Sequence, residues 1–183
     1  MEERKMAATR KTATNSKTKK AALPALDLGV AEEQLPGITA ILKTLLADEV
    51  VLYTRLRNYH WNVNGPHFYP LHQLFEAQYD EVEAIIDDVA ERIRQFGVAA
   101  PGTLAEFQRM ARLKEQPGEV PAAMAMVANL AEDHEALVRF LRQDIETIDD
   151  EADEVGVEDL LTGLLQQHQK MAWMLRATAE AAS

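Results

Sequence analysis

The chain has 183 residues, 47% of them hydrophobic, and a formal net charge of −11. That length suits one domain with a proper core, and the apolar content excludes a chain disordered throughout. The absence of cysteine excludes disulfides and thiolate metal sites, and no apolar run approaches the roughly 18 residues of a membrane span.

Residues 1 to 34 show no hydrophobic period and read as a mobile basic arm. Within residues 1–20, Arg4, Lys5, Arg10, Lys11, Lys17, Lys19 and Lys20 stand against Glu2 and Glu3, a side-chain charge of +5. The rest of the chain carries 12 basic and 28 acidic residues, or −16. A basic tail is thus joined to an acidic body. The N-terminus lacks the apolar middle segment of a secretory signal. Together with the missing cysteines, this predicts a cytoplasmic protein with no membrane partner.

The second segment, residues 35–183, is predicted to be all-α. Pro36 suits a first helical turn. Ile38, Leu42, Leu45, Leu52, Leu56 and Tyr59 follow at helical spacing, predicting an amphipathic helix that ends near Asn62. Asn64-Gly65-Pro66 breaks the chain. A second helix is predicted from about Pro70 to Phe96, closed by Gly97, with Phe75, Tyr79, Val82, Ile86, Val89 and Ile93 as its core face. Residues 97–120 form a crossover containing a short helix from Thr103 to Leu113. A third helix follows Pro121 through Met124, Val127, Leu130, Leu137, Leu141, Ile145 and Ile148. A fourth runs from Val157 to about Ala181. Four long helices with one long crossover predict a ferritin-like bundle carrying a short extra helix.

The second helix also bears a polar stripe. With His72 at the origin, Glu76, Asp80, Glu83, Asp87 and Glu91 all fall within about 100° of arc, beside the apolar face. A solvated face accounts for such a stripe; so does a metal-binding face, since a cation would relieve the repulsion between neighbouring carboxylates. Helix length constrains the second option. From His72 to Glu91 is about 28 Å of helix, against metal–ligand bonds of about 2 Å. One chain cannot bring both ends of the stripe to one ion. Two antiparallel copies related by a two-fold axis can, making two equivalent sites. His60, at the end of the first helix, can fold over the bend toward His72. None of the five histidines follows a glutamate by three residues, so the Glu-x-x-His pattern of an intrachain di-iron bundle is missing.

His60-Trp61-Asn62-x-x-Gly65, His72-x-x-x-Glu76 and Asp87-x-x-x-Glu91-Arg92 together resemble the Dps family, the mini-ferritins first described as DNA-binding proteins from starved cells. The likeness spans residues 36–181. It implies an iron-oxidising site between two-fold-related subunits, with His60, His72, Glu76, Asp87 and Glu91 as ligands to Fe(II). Many members carry Asp where this chain has Glu76, a carboxylate on a longer arm. The resemblance further implies ferroxidase activity, with hydrogen peroxide as the expected oxidant, and storage of ferric mineral in a hollow homododecamer. It gives Trp61 two readings, a sink for stray oxidising equivalents or plain packing. Asp80 and Glu83 face either solvent or the mineral cavity.

The acids Asp149, Asp150, Asp153, Glu154, Glu158 and Asp159 lie where the family lines a pore that admits iron; capping of a helix N-terminus accounts for some of them equally well. His67, His134 and His168 lack a matching acid constellation and read as surface or bundle-packing residues. Trp173 reads as core. The basic tail supports a second function, nucleoid association through DNA phosphates contacted by Arg4, Lys5, Arg10, Lys11, Lys17, Lys19 and Lys20; an assembly or solubilising arm is the other reading.

Overall fold

The computed structural model describes residues 28–180. Its elements are α1 (Leu35–Asn62), α2 (Phe68–Gln95), α3 (Leu104–Met110), α4 (Ala123–Glu151) and α5 (Val155–Glu180). Helices α1 and α2 pair across a short bend, α4 and α5 across another, and α3 packs on α1. There is no strand among the described residues. The fold is all-α, a ferritin-like four-helix bundle with a short extra helix in the crossover.

Each boundary has a local cause. Pro36 sits in the first turn of α1, where its missing N–H costs no intrahelical bond. After Asn62 the backbone turns extended at Val63, and Gly65 takes a φ of +96°, a left-handed value that a side chain would strain. Helix α2 then begins at Phe68, two residues before the position expected from Pro70, and that proline falls in its first turn. Gly97, at φ +76°, closes the helix. The α4–α5 corner is made by Asp153, a non-glycine residue at φ +47°. Glu154 follows and accepts the Val157 N–H through its side chain, capping α5.

The short helix stops at Met110 rather than Leu113. Its start is secured by a capping box between Thr103 and Glu106. Its end is set from a distance. Asp48, fully buried on α1, accepts the backbone N–H groups of Arg112 at 2.6 Å and Leu113 at 3.0 Å. It also receives Arg112 Nε at 2.7 Å, while Arg112 Nη1 reaches Asp144 on α4. Those amides cannot extend a helix while they bond Asp48. Arg55 similarly joins α1 to Asp133 on α4 and to the Lys114 carbonyl. Two helices, α1 and α4, and the crossover are therefore stitched by paired charges, which tolerate burial only because they are paired.

The core joins Leu42, Leu45, Leu52 and Leu56 of α1 to Phe75, Val82 and Val89 of α2, Leu130 and Leu137 of α4, and Leu161 and Leu175 of α5. Two expectations are corrected. On α2 the expected Phe75, Val82, Val89 and Ile93 are buried, but Leu71, Gln78 and Ile85 join them while Tyr79 and Ile86 are only partly covered; the inward face is turned by a fraction of one residue from the predicted one. Trp173 is 68% exposed rather than core, since Ala172 and Met171 hold the inward positions on that turn.

Candidate metal centre

The bend between α1 and α2 folds His60 directly onto His72. The two imidazoles stack with centroids 3.7 Å apart and planes 18° from parallel. Each ring is tied to the other residue's backbone. His60 Nδ1 lies 2.9 Å from the His72 carbonyl, and His72 Nδ1 lies 2.8 Å from the His60 carbonyl. A carbonyl can only accept, so both Nδ1 atoms carry the hydrogen and donate. In the neutral ring this leaves the Nε2 lone pair free on each side chain. That tautomer can bind a metal through Nε2, with the ring oriented by a backbone partner as such ligands usually are.

The carboxylates of the stripe occupy one side of α2. Glu76, Asp80, Glu83, Asp87 and Glu91 are all exposed. Glu76 lies one turn from His72, and Asp87 and Glu91 lie at the far end of the helix. Among the described residues, no three His, Asp or Glu side chains of the single chain converge closely enough to hold an ion. The structure thus brings two of the five expected ligands together and leaves Asp87 and Glu91 as a separate pair.

Around the histidines is an aromatic collar that sequence reasoning did not assign to the site. Tyr79 meets His60 edge-on, with centroids 5.2 Å apart and planes at 85°. Its hydroxyl donates to Glu76 Oε1 at 3.4 Å. The Arg57 guanidinium lies 4.6 Å from the Tyr79 ring centre and 5.2 Å from that of Trp61. Trp61 is 66% exposed, so packing within its own chain does not explain it. Partial burial first, and then the charges of Glu76 and Asp80, push the Tyr79 phenol above its ordinary range, with Arg57 opposing them. Tyr79 therefore stays a hydrogen-bond donor at neutral pH.

The other histidines separate into two kinds. His67 is exposed at the start of α2 and caps nothing with its side chain. His134 and His168 are fully buried inside the bundle. His168 Nε2 lies 2.9 Å from Glu49 Oε1, and the Nδ1 atoms of His168 and His134 are 2.9 Å apart, sharing one hydrogen. Glu49, His168 and His134 come from α1, α5 and α4, so one polar chain crosses the core. Glu49 Oε2 and His134 Nε2, at its two ends, have no hydrogen-bond partner among the described residues. Burial first, and then the neighbouring His168, hold His134 well below the ordinary imidazole range. The signal for this chain was present in the sequence: Glu49, His134 and His168 fall on the apolar stripes of their helices. A bundle-packing role for the two histidines fits this placement.

Comparison with known proteins gives the same fold and the same family. The Ferritin-like domain family matches residues 39–182. A DNA protection during starvation protein of Brevibacillus brevis is 38% identical over 78% of this chain and 95% of its own length. The crystal structure of a Dps protein from Bacillus brevis superposes with a TM-score of 0.76 at 34% identity, covering 81% of this chain and 98% of that one. The chain belongs to the Dps family. An uncharacterised low temperature-induced protein of Nostoc is 42% identical over 86% of this Dps chain and 88% of its own length. A Vibrio cholerae Dps structure, described as a member of the ferritin-like diiron-carboxylate superfamily, gives a TM-score of 0.78 at 26% identity, over 85% of this chain and 97% of that one. Membership places this Dps chain among the stress-protective, iron-storing mini-ferritins.

Proposed function

We propose that this Dps chain is a ferroxidase subunit whose iron site is completed by a second copy. His60, His72 and Glu76 of one subunit, with Asp87 and Glu91 of its two-fold partner, are the ligands in this reading. The observation that carries it is the reciprocal tether of the two histidines, which leaves two Nε2 lone pairs free on stacked rings one helical turn from Glu76. Imidazole and carboxylate donors suit Fe(II). The length of α2 supplies the second argument, because the Asp87/Glu91 pair needs an antiparallel neighbour to meet the histidines.

Iron is the substrate here. Two Fe(II) ions each give up one electron, and one hydrogen peroxide takes both with two protons to become two waters. The chain's own groups would hold the two ions together and leave coordination positions open, so that both iron electrons reach one peroxide and no hydroxyl radical is released. The ferric product is stored as mineral in a closed homo-oligomer, a dodecamer in this reading. Asp149, Asp150, Asp153 and Asp159 are exposed at the α4–α5 corner and supply negative potential that draws Fe(II) toward a pore. Glu154 is engaged in capping and with Arg92 instead. Anaerobic protein loaded with Fe(II) and titrated with peroxide is expected to consume about two irons per peroxide, the ratio set by a two-electron step; a ratio near one with radical trapping would reject the mechanism.

The seven basic residues of the tail motivate a second activity. They lie outside the described residues, as does most of the 1–34 arm, and DNA binding is proposed from their charge alone. Neutralising several phosphates makes affinity fall steeply with salt. Deleting residues 1–20 is expected to abolish a salt-sensitive mobility shift of duplex DNA, leaving iron oxidation intact. An undiminished shift in the truncated protein would remove the tail from that role.

A further inference from the structure

Tyr79 is the side chain that touches both halves of the α1–α2 ligand group: the imidazole of His60 and the carboxylate of Glu76. Its own position is well determined. It sits against Tyr53 at 6.1 Å and 85°, and beneath Arg57 at 4.6 Å. Arg57 is in turn held by the Tyr53 hydroxyl at 3.1 Å. Glu76, by contrast, is exposed and carries a long side chain with several rotatable bonds. An unrestrained glutamate loses rotamer entropy when it is fixed. The Tyr79 hydroxyl, three residues further along the helix, is the hydrogen-bond partner that holds Glu76.

We propose that Tyr79 is a positioning residue for metal binding, which holds the Glu76 carboxylate in register with the His60–His72 pair. The proposal rests on the metal-centre reading above. Tyr79 is not a ligand and moves no electron in it. It acts by orienting a ligand, as hydrogen-bond partners behind metal ligands commonly do. Arg57 and Tyr53 keep the ring where its hydroxyl can reach Glu76.

Tyr79→Phe removes the hydroxyl and keeps the ring. In the assembled protein, Co(II) used as a spectroscopic probe is expected to bind about tenfold more weakly. The thermal midpoint should not change. In Fe(II) oxidation, KM should rise while kcat is retained, which a general packing defect would not produce. Tyr69→Phe, which removes an exposed hydroxyl bonded to Gln73, should leave Co(II) affinity as it was. In a Glu76→Gln background the Tyr79→Phe change should add much less than it does alone, because both act through one carboxylate. Equal Co(II) affinity in wild type and Tyr79→Phe, or full additivity with Glu76→Gln, would overturn the proposal and leave the metal centre standing. Wild-type protein that takes up no Co(II) would instead overturn the metal-centre reading itself.

Discussion

Replacing His60 and His72 together by alanine is expected to slow Fe(II) oxidation at least about a hundredfold. Loss of groups that merely orient a metal ligand costs about 10–100-fold, so removing two ligands falls at the upper end or beyond. The fold should persist. The two Nδ1 bonds run to backbone carbonyls, and each contributes only about 1 kcal/mol net. His72 is partly solvated, and the bend itself is set by Gly65 and Pro66. Stopped-flow oxidation, with circular dichroism and sizing on the same sample, separates lost chemistry from lost structure. Double-variant protein that oxidises iron at the wild-type rate would remove these histidines from the site. The complementary pair, Asp87→Ala with Glu91→Ala, lies at the other end of α2 and should produce the same phenotype. Mixed assemblies of the two double variants should regain part of the activity, since some two-fold contacts would then join intact halves.

The largest effect on stability is expected at His168. Replacing it with leucine leaves the Glu49 carboxyl at zero exposure without its partner and should cost up to about 3–5 kcal/mol. The damage comes from the orphaned polar group rather than from lost packing. Glu49→Leu/His168→Leu should therefore recover part of the stability, because an apolar pair removes the carboxyl together with its partner while His134 Nδ1 still loses its own. Urea unfolding of the two single variants and the double variant measures this directly; a double variant as unstable as the sum of the singles would contradict it.

The same buried chain makes stability depend on pH. His134 is held neutral in the folded protein, with its pKa below the ordinary value of 6.5. Below pH 6.5 the unfolded chain takes up a proton there that the folded chain does not. Its contribution is therefore intact above 6.5 and is lost as pH falls, by about 1.4 kcal/mol per pH unit, until the folded pKa is reached. Its sequence neighbour Asp133 has another partner, Arg55. Asp133 and Asp144 act in the opposite sense. Burial raises their carboxyls, so the folded chain protonates them first on acidification. Unfolding curves at pH 7.5 and pH 6 isolate the histidine effect before the carboxylates dominate.

Much of this protein is legible in one dimension. Helix boundaries follow from Pro36, Gly65, Pro66 and Gly97 because backbone constraints at those residues are local. The apolar stripe on α1 is read correctly because a 3.6-residue period needs no partner to be visible. The expectation that Asp87 and Glu91 would need a second chain to meet His72 also follows from sequence, since 1.5 Å per residue makes the separation of the stripe's ends a matter of counting.

Tertiary structure decided what depends on groups far apart in the chain. Asp48 ends α3 by capturing amides 64 and 65 residues away, which no local propensity reports. Glu49 meets His168 across 119 residues, so a buried acid on an apolar stripe acquires its partner only when the bundle closes. Tyr79 turns from a core residue into a bridge between His60 and Glu76 because the inward face of α2 is set by packing against its neighbours. Periodicity specifies which residues share a face; only the packed bundle specifies which way that face turns and what it meets there.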